Sequence, residues 1–212
     1  MWAHGETRVF RVPSVDLRVT DGGWAFADRH RGEIEAHWAR RVREAPGFFN
    51  GPVFMMDAYS VSAHGHLSAS FIRSDFRSFL YWRETGFRDD RIMDGFGSAL
   101  IRSADGRVLL GRQSAGNLNS GLCYPPSGFI DVRDVRPDGL IDIDRSVARE
   151  VAEETLTGDA LLSEATRHIS SEEQSELVQL LLVAPGAPDA GLPMLDYARA
   201  LLTNLPHLEF AA

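Results

Sequence analysis

The stretch from residue 98 to residue 155 restricts the fold more than any other part of the sequence. Two short apolar runs, 98–102 and 107–112, flank Asp105-Gly106, a strong signal for a turn between antiparallel strands. An amphipathic helix follows after a loop rich in Asp, Arg, Pro and Gly, and Asp144 is its predicted N-cap. Strands and helices arranged in this way predict an α/β (α+β) fold.

The rest of the chain carries further strand and helix patterns. Helices are predicted over 28–45, 75–85, 159–168 and 195–205, strands over 8–12, 53–61 and 67–72, and an apolar run covers 177–183. We expect residues 1–92 to form an N-terminal α+β extension that packs on a core of residues 93–212.

Composition limits the partners and the kind of site. The chain has 212 residues, and its 30 Asp and Glu exceed its 22 Lys and Arg, which gives a formal charge of −8. This acidic excess argues against binding to nucleic-acid polymers or anionic membranes. Cys123 is the one cysteine, so an intrachain disulfide and a cysteine-built metal site are excluded. The sequence has no signal-peptide pattern and no apolar run long enough to span a bilayer, and we therefore expect a cytoplasmic protein.

The acidic end of the helix, Arg149-Glu150-Val151-Ala152-Glu153-Glu154, is the best candidate for chemistry. The glutamates fall within roughly a 100° sector of the helix, where their like charges repel one another. A cation that bridges the carboxylates removes this repulsion, and such oxygen ligands suit Mg²⁺ or Mn²⁺. The alternative is an α/β protein in which these glutamates are only solvated surface.

These residues resemble the box of the Nudix hydrolases, Gly-x5-Glu-x7-Arg-Glu-apolar-x-Glu-Glu-x-Gly-apolar. Residues 149–155 match its second half, and Gly128 stands in the place of its opening glycine. The chain departs from the box in three ways. The interval from Gly128 to Arg149 is about seven residues longer, Ile141 stands where the first glutamate would fall, and Leu156 replaces the last glycine. A core strand of the family is also missing near 155–158, where the chain passes into a helical pattern.

Short motifs in the N-terminal part are similar to those of the UDP-glucose pyrophosphatase branch of this family, which also has a lengthened box. They lie at 37–41, 46–51 and 73–77. The resemblance implies a Nudix α/β/α sandwich with a mixed sheet, in addition to the N-terminal extension.

The implied activity is divalent-metal-dependent hydrolysis of the diphosphate bond in a nucleoside diphosphate linked to another group. The partner would be a small-molecule nucleotide derivative, with a UDP-sugar as our first expectation. ADP-ribose or a coenzyme A derivative is an alternative substrate. A further alternative is a Nudix-fold nucleotide-binding or regulatory module with impaired catalysis. The sequence also permits a homodimer.

The resemblance also implies roles for particular residues. The residues of the metal and catalytic site would be Arg149, Glu150, Glu153 and Glu154, with Mg²⁺ (or Mn²⁺) bound by the three glutamates and by a backbone carbonyl at Ser127 or Gly128. Arg149 would orient the glutamates through charge-assisted hydrogen bonds. Glu153 is the first candidate for the general base, and Asp142 and Asp144 are the alternatives.

Arginine residues are the natural candidates for contact with the diphosphate, because a guanidinium group matches the geometry of phosphate oxygens. Arg112, at the end of a predicted strand, and Arg77, in a basic stretch of the extension, are the predicted substrate-binding residues, together with Gly128 of the box.

Overall fold

The structure, a computed structural model, describes residues 12–103, 105–155, 179–183 and 193–204. Helices and strands both occur in these ranges, and one sheet contains parallel and antiparallel pairs, which confirms the α/β (α+β) class. The predicted helix over 159–168 lies outside the described residues, as does the predicted strand over 8–12 except for its last residue.

The described elements agree with most of the predicted ones to within a few residues. In chain order they are β1 (Ser14–Gly23), α1 (Ala25–Arg29), α2 (Arg31–Glu44), β2 (Pro52–Val61), β3 (His66–Asp75), α3 (Phe76–Glu84), β4 (Phe96–Ser98), β5 (Val108–Arg112), β6 (Cys123–Tyr124), β7 (Ser127–Phe129), α4 (Ile143–Thr155), β8 (Gln179–Val183) and α5 (Asp196–Asn204). Among the helices of the described ranges, none combines the length and the apolar character that crossing a membrane requires.

The chain forms two compact units, and neither is continuous in sequence. We call residues 12–97 and 128–147 the sheet unit. The glutamate unit comprises the described residues of 98–127 and 148–212. The division into an extension, 1–92, and a core, 93–212, stays a prediction.

A three-stranded mixed sheet forms the centre of the sheet unit. Strands β2 and β3 are antiparallel and are joined by a turn in which Gly65 has a φ of 80°, while β1 lies parallel to β3. Alternate residues of a strand point to the same face. One such face buries Leu17, Phe54 and Phe71 in an apolar core.

Strand β5 organises the glutamate unit, because it lies between β6 and β8 and is antiparallel to both. Its residues Val108 and Leu110 pack with Cys123 and with Leu202 of α5. Cys123 is fully buried in this core, which fits a packing role for its thiol.

Two local predictions are wrong. Residues 98–102 do not form a strand, since β4 ends at Ser98 and Arg102 makes only an isolated bridge to Val108. Asp144 is not the N-cap of α4. The carboxylate of Asp142 takes that position, where Oδ1 accepts a hydrogen bond from the backbone N–H of Arg145 at 3.0 Å.

Candidate functional site

The candidate glutamates lie in the last two turns of α4, and they differ in exposure. Glu150 and Glu154 are four residues apart and therefore neighbours on one side of the helix. The side chain of Glu150 is 13% exposed, whereas that of Glu153 is 50% exposed. The structure thus separates an inner pair, Glu150 and Glu154, from an outer carboxylate, Glu153.

Arg149 contacts two of these carboxylates. Its Nη1 donates hydrogen bonds to Oε1 of Glu150 at 2.5 Å and to Oε2 of Glu153 at 3.4 Å. The arginine side chain is only 15% exposed, so water competes little for its charge. These are the contacts that the predicted orienting role requires.

Glu154 is held by strand β7, where the backbone N–H of Ser127 donates a hydrogen bond to Oε2 of Glu154 at 3.2 Å. Burial raises the pKa of Glu154, and the charges of Glu150 and Glu153 raise this pKa further, to about 7, against the opposing effect of the Ser127 N–H. A partly desolvated carboxylate with like charges beside it is a place where a cation would gain much interaction energy.

Three hydroxyl groups meet beside Glu154, and we call Ser98, Ser127 and Tyr197 the hydroxyl cluster. Oγ of Ser127 lies 2.7 Å from Oγ of Ser98, 2.8 Å from the Tyr197 hydroxyl and 2.6 Å from the carbonyl oxygen of Pro125. Burial raises the pKa of Tyr197 to about 12, so its hydroxyl keeps its proton at neutral pH.

The inner pair fits Mg²⁺ by its chemistry. Among the described residues, no three His, Cys, Asp or Glu side chains form a group that could hold a metal ion. Mg²⁺ does not need such a cage, because it usually binds one or two carboxylates, several waters and substrate phosphates. Glu150 and Glu154 supply that number of carboxylates. Glu153 is the least suited of the predicted ligands, since it is half exposed and hydrogen-bonded to Arg149.

Two other predicted residues, Arg112 and Ser127, belong to the glutamate unit. Gly128 follows Ser127 in the chain and is the first residue of the second segment of the sheet unit. Arg112 ends β5, and within the part of the chain that the structure describes its buried Nε has no hydrogen-bond partner. A buried donor without a partner is costly, and a phosphate oxygen would satisfy it. Gly128 lies in the middle of β7. Ser127 reaches Glu154 through its N–H, and a metal contact from its carbonyl stays a prediction.

The remaining predicted residues, Arg77, Asp142 and Asp144, belong to the sheet unit. Arg77 belongs to the sheet unit, where its Nε donates to Oδ2 of Asp75 at 2.8 Å and where it lines a cavity of about 390 Å³. Asp142 is occupied as the cap of α4, and Asp144 is exposed on the first turn of that helix. Contact of Arg77 with substrate stays a prediction.

Sequence reasoning missed Ser98 and Tyr197. Tyr197 lies 70 positions after Ser127, and the pattern around it predicts a helix without indicating which partner its hydroxyl meets. The strand pattern over 98–102 indicates no role for the side chain of Ser98. The nearest signal was Pro125-Pro126-Ser127, since a turn at such a sequence leaves polar groups that need partners.

No protein-family model matches the chain, and no curated protein shows significant similarity to it.

Proposed function

We propose that this protein is a Nudix hydrolase that requires Mg²⁺ or Mn²⁺ and acts on a nucleoside diphosphate linked to another group, with a UDP-sugar as substrate. The observation that carries this proposal is the inner pair: Glu150 and Glu154 lie one turn apart, the first held by Arg149 and the second by the Ser127 N–H. Our proposal also places the protein in the cytoplasm.

The reaction would consume one water and break one phosphorus–oxygen bond of the diphosphate, which gives UMP and a sugar phosphate. When bound, the metal would neutralise phosphate charge and lower the pKa of the attacking water. Glu150 and Glu154 would hold it. Arg149 keeps the carboxylate of Glu150 in place, and the Ser127 N–H does so for Glu154.

Two further side chains would act on the substrate and on the water. The half-exposed carboxylate of Glu153 is our candidate for accepting the proton of the water, because solvent can reach it. The buried Nε of Arg112 would donate to a phosphate oxygen of the substrate.

The test is hydrolysis of UDP-glucose, UDP-galactose, ADP-ribose and a coenzyme A derivative with Mg²⁺ or Mn²⁺. A phosphatase added to the assay releases phosphate from the products. We expect turnover of a UDP-sugar, and Glu154→Gln should reduce it roughly 100-fold or more, because several kcal/mol of charge stabilisation depend on this site.

Asp16→Asn provides the control, since Asp16 is an exposed carboxylate of β1 in the sheet unit. It removes one carboxylate charge and should leave turnover unchanged. Failure of the wild-type protein to hydrolyse any of these nucleotides with either metal would refute the proposed activity.

A nucleotide-binding module with impaired catalysis is the second candidate. It is favoured by Ile141, which stands in place of the first glutamate of the box and is buried in the apolar core of the sheet unit, so it offers no carboxylate. The next residue, Asp142, is engaged as a helix cap. Calorimetry that shows nucleotide binding without hydrolysis would support this candidate.

A further inference from the structure

We propose that Tyr197 is a positioning residue: with Ser98 it fixes Ser127 so that the Ser127 N–H holds the carboxylate of Glu154 in one place. The consequence for metal binding and turnover rests on the proposed function, in which Glu154 binds the metal. The hydrogen-bond geometry itself does not depend on that function.

Counting protons shows why two donors are needed. Oγ of Ser127 has one proton and two lone pairs, and it has three partners within 2.8 Å. The Pro125 carbonyl can only accept, so it takes the proton of Ser127. With that proton given to Pro125, the contacts of Ser127 with Ser98 and Tyr197 need a proton from those two hydroxyls, which also contact each other.

This arrangement fixes the backbone as well as the side chain. Ser127 donates to a carbonyl two residues earlier, which closes the segment 125–127 on itself. The carbonyl of Pro126 in that segment accepts the N–H of Ala99 at 2.9 Å. The Ser127 N–H, which points to Glu154, therefore belongs to a segment anchored at each of its residues.

Tyr197 is well placed to act as such an anchor. It lies on α5, where the neighbouring Ala198 and the more distant Leu202 are fully buried. The chain just before α5 is tied to β6, because the N–H of Cys123 donates to the Pro193 carbonyl at 2.7 Å. A side chain on a packed element positions its partner more accurately than one on a loop.

The test compares Tyr197→Phe with Tyr124→Phe in the full chain. Each variant removes one phenolic hydroxyl and keeps the ring, but the Tyr124 hydroxyl donates to Oε1 of Gln113 instead of to Ser127. Ser98→Ala removes the other donor to Ser127 and serves as an independent variant should Tyr197→Phe fail to fold.

The readouts are the NMR chemical shift and hydrogen-exchange rate of the Ser127 amide without metal, Mn²⁺ affinity by electron paramagnetic resonance, and kcat and KM for a UDP-sugar. For Tyr197→Phe we expect a shifted, faster-exchanging amide, Mn²⁺ affinity and kcat lower by about tenfold, and a KM close to wild type. Ser98→Ala should change the same quantities, and Tyr124→Phe should match the wild type.

The outcomes separate this proposal from the proposed function. An unchanged Ser127 amide in both Tyr197→Phe and Ser98→Ala overturns the positioning role, as does an equal effect of Tyr124→Phe. If the wild type neither binds Mn²⁺ nor hydrolyses nucleotides while the amide still responds to Tyr197→Phe, the positioning role is supported and the proposed function fails.

Discussion

The indole N–H of Trp24 donates a hydrogen bond to Oδ2 of Asp89 at 3.1 Å, and both residues are buried. Arg91 donates to the same carboxylate through Nε at 2.9 Å and through Nη2 at 3.1 Å. A second indole, that of Trp82, donates to the backbone carbonyl of Asp89 at 3.0 Å. This aspartate therefore connects α3, the segment after it and the residue that precedes α1.

Asp89→Ala should destabilise the protein by about 1 to 3 kcal/mol, because it leaves the buried N–H of Trp24 without its acceptor. Asp89→Asn should cost less, since an amide oxygen can still accept that bond. Urea unfolding followed by tryptophan fluorescence measures both changes. Equal stability of the alanine variant and the wild type would show that the bond contributes nothing.

Gly95→Ala should also destabilise the protein, by about 1 to 3 kcal/mol, through overpacking. A Cβ at residue 95 would lie 2.6 Å and 2.9 Å from two atoms of the Phe71 ring, which is itself buried. Gly32→Ala in α2 is the matched control, because no atom other than those of its chain neighbours and its own helix backbone lies within 4 Å of the added Cβ. We expect that control to be stabilised by roughly 0.4 to 1 kcal/mol. Thermal unfolding of the two variants side by side checks the expected opposite signs.

Asp94 should make the stability of the protein fall as the pH rises from about 4 to about 6. Burial raises the pKa of Asp94 to about 6, against a smaller opposing effect of Arg83, and the Oδ1 atom of Asp94 has no hydrogen-bond partner among the described residues. The folded state therefore binds the proton more tightly than the unfolded state, and stability is lost as the pH rises through this window.

Asp94→Asn removes this titration. We expect the variant to be more stable than the wild type at pH 8, by at most about 3 kcal/mol, and to lose that advantage near pH 4. Asp90→Asn, at an exposed neighbouring position, is the control: it keeps Asp94, so its stability should fall over the same pH range as that of the wild type. Denaturant unfolding at several pH values tests the difference, and parallel curves for Asp94→Asn and the wild type would contradict it.

Arg149→Ala should reduce Mn²⁺ affinity and kcat by about 10- to 100-fold, because it frees the carboxylate of Glu150 from the hydrogen bond that orients it. Arg145→Ala is the control, since Arg145 is an exposed arginine on the first turn of the same helix. Paramagnetic titration with Mn²⁺ and steady-state kinetics provide the measurements. Equal losses of Mn²⁺ affinity and kcat in the two variants would indicate that removing a positive charge from the helix is the cause, and not the loss of the hydrogen bond to Glu150.

The sequence predicted those parts of the fold in which side chains near one another in the chain decide the structure. Helix α3 follows from its apolar stripe, and the turn at Asp105-Gly106 follows from its residue types; the N–H of Gly106 indeed donates to the Ser103 carbonyl at 2.8 Å. Strand β1 was missed although Val15, Leu17 and Val19 alternate with polar residues. Its parallel pairing with β3 joins residues about 50 positions apart, and no local pattern encodes such a partner.

The candidate site, like the fold, could be predicted only where residues close together in the sequence determine it. The inner pair could be found from spacing, because four residues make one turn of a helix. The N-cap of α4 was misplaced by two residues, since Asp142 and Asp144 are equally good caps by residue type and the backbone path of the preceding loop decides between them. Tyr197 meets Ser127 only through tertiary packing, so local propensity carries no information about that contact.

The split sequence of the sheet unit affects how the chain can fold while it is being synthesised. The N–H of Val19 donates to the Gly139 carbonyl at 3.0 Å, and the N–H of Phe54 donates to the Ile130 carbonyl at 3.1 Å, so residues 128–147 cover both edges of the sheet. A ribosome releases β1, β2 and β3 well before these residues emerge. During that interval the β1 edge is uncovered and the β2 edge is paired only at Met56, with Met93, so these edges are the surfaces at which growing chains on one polysome can pair with each other.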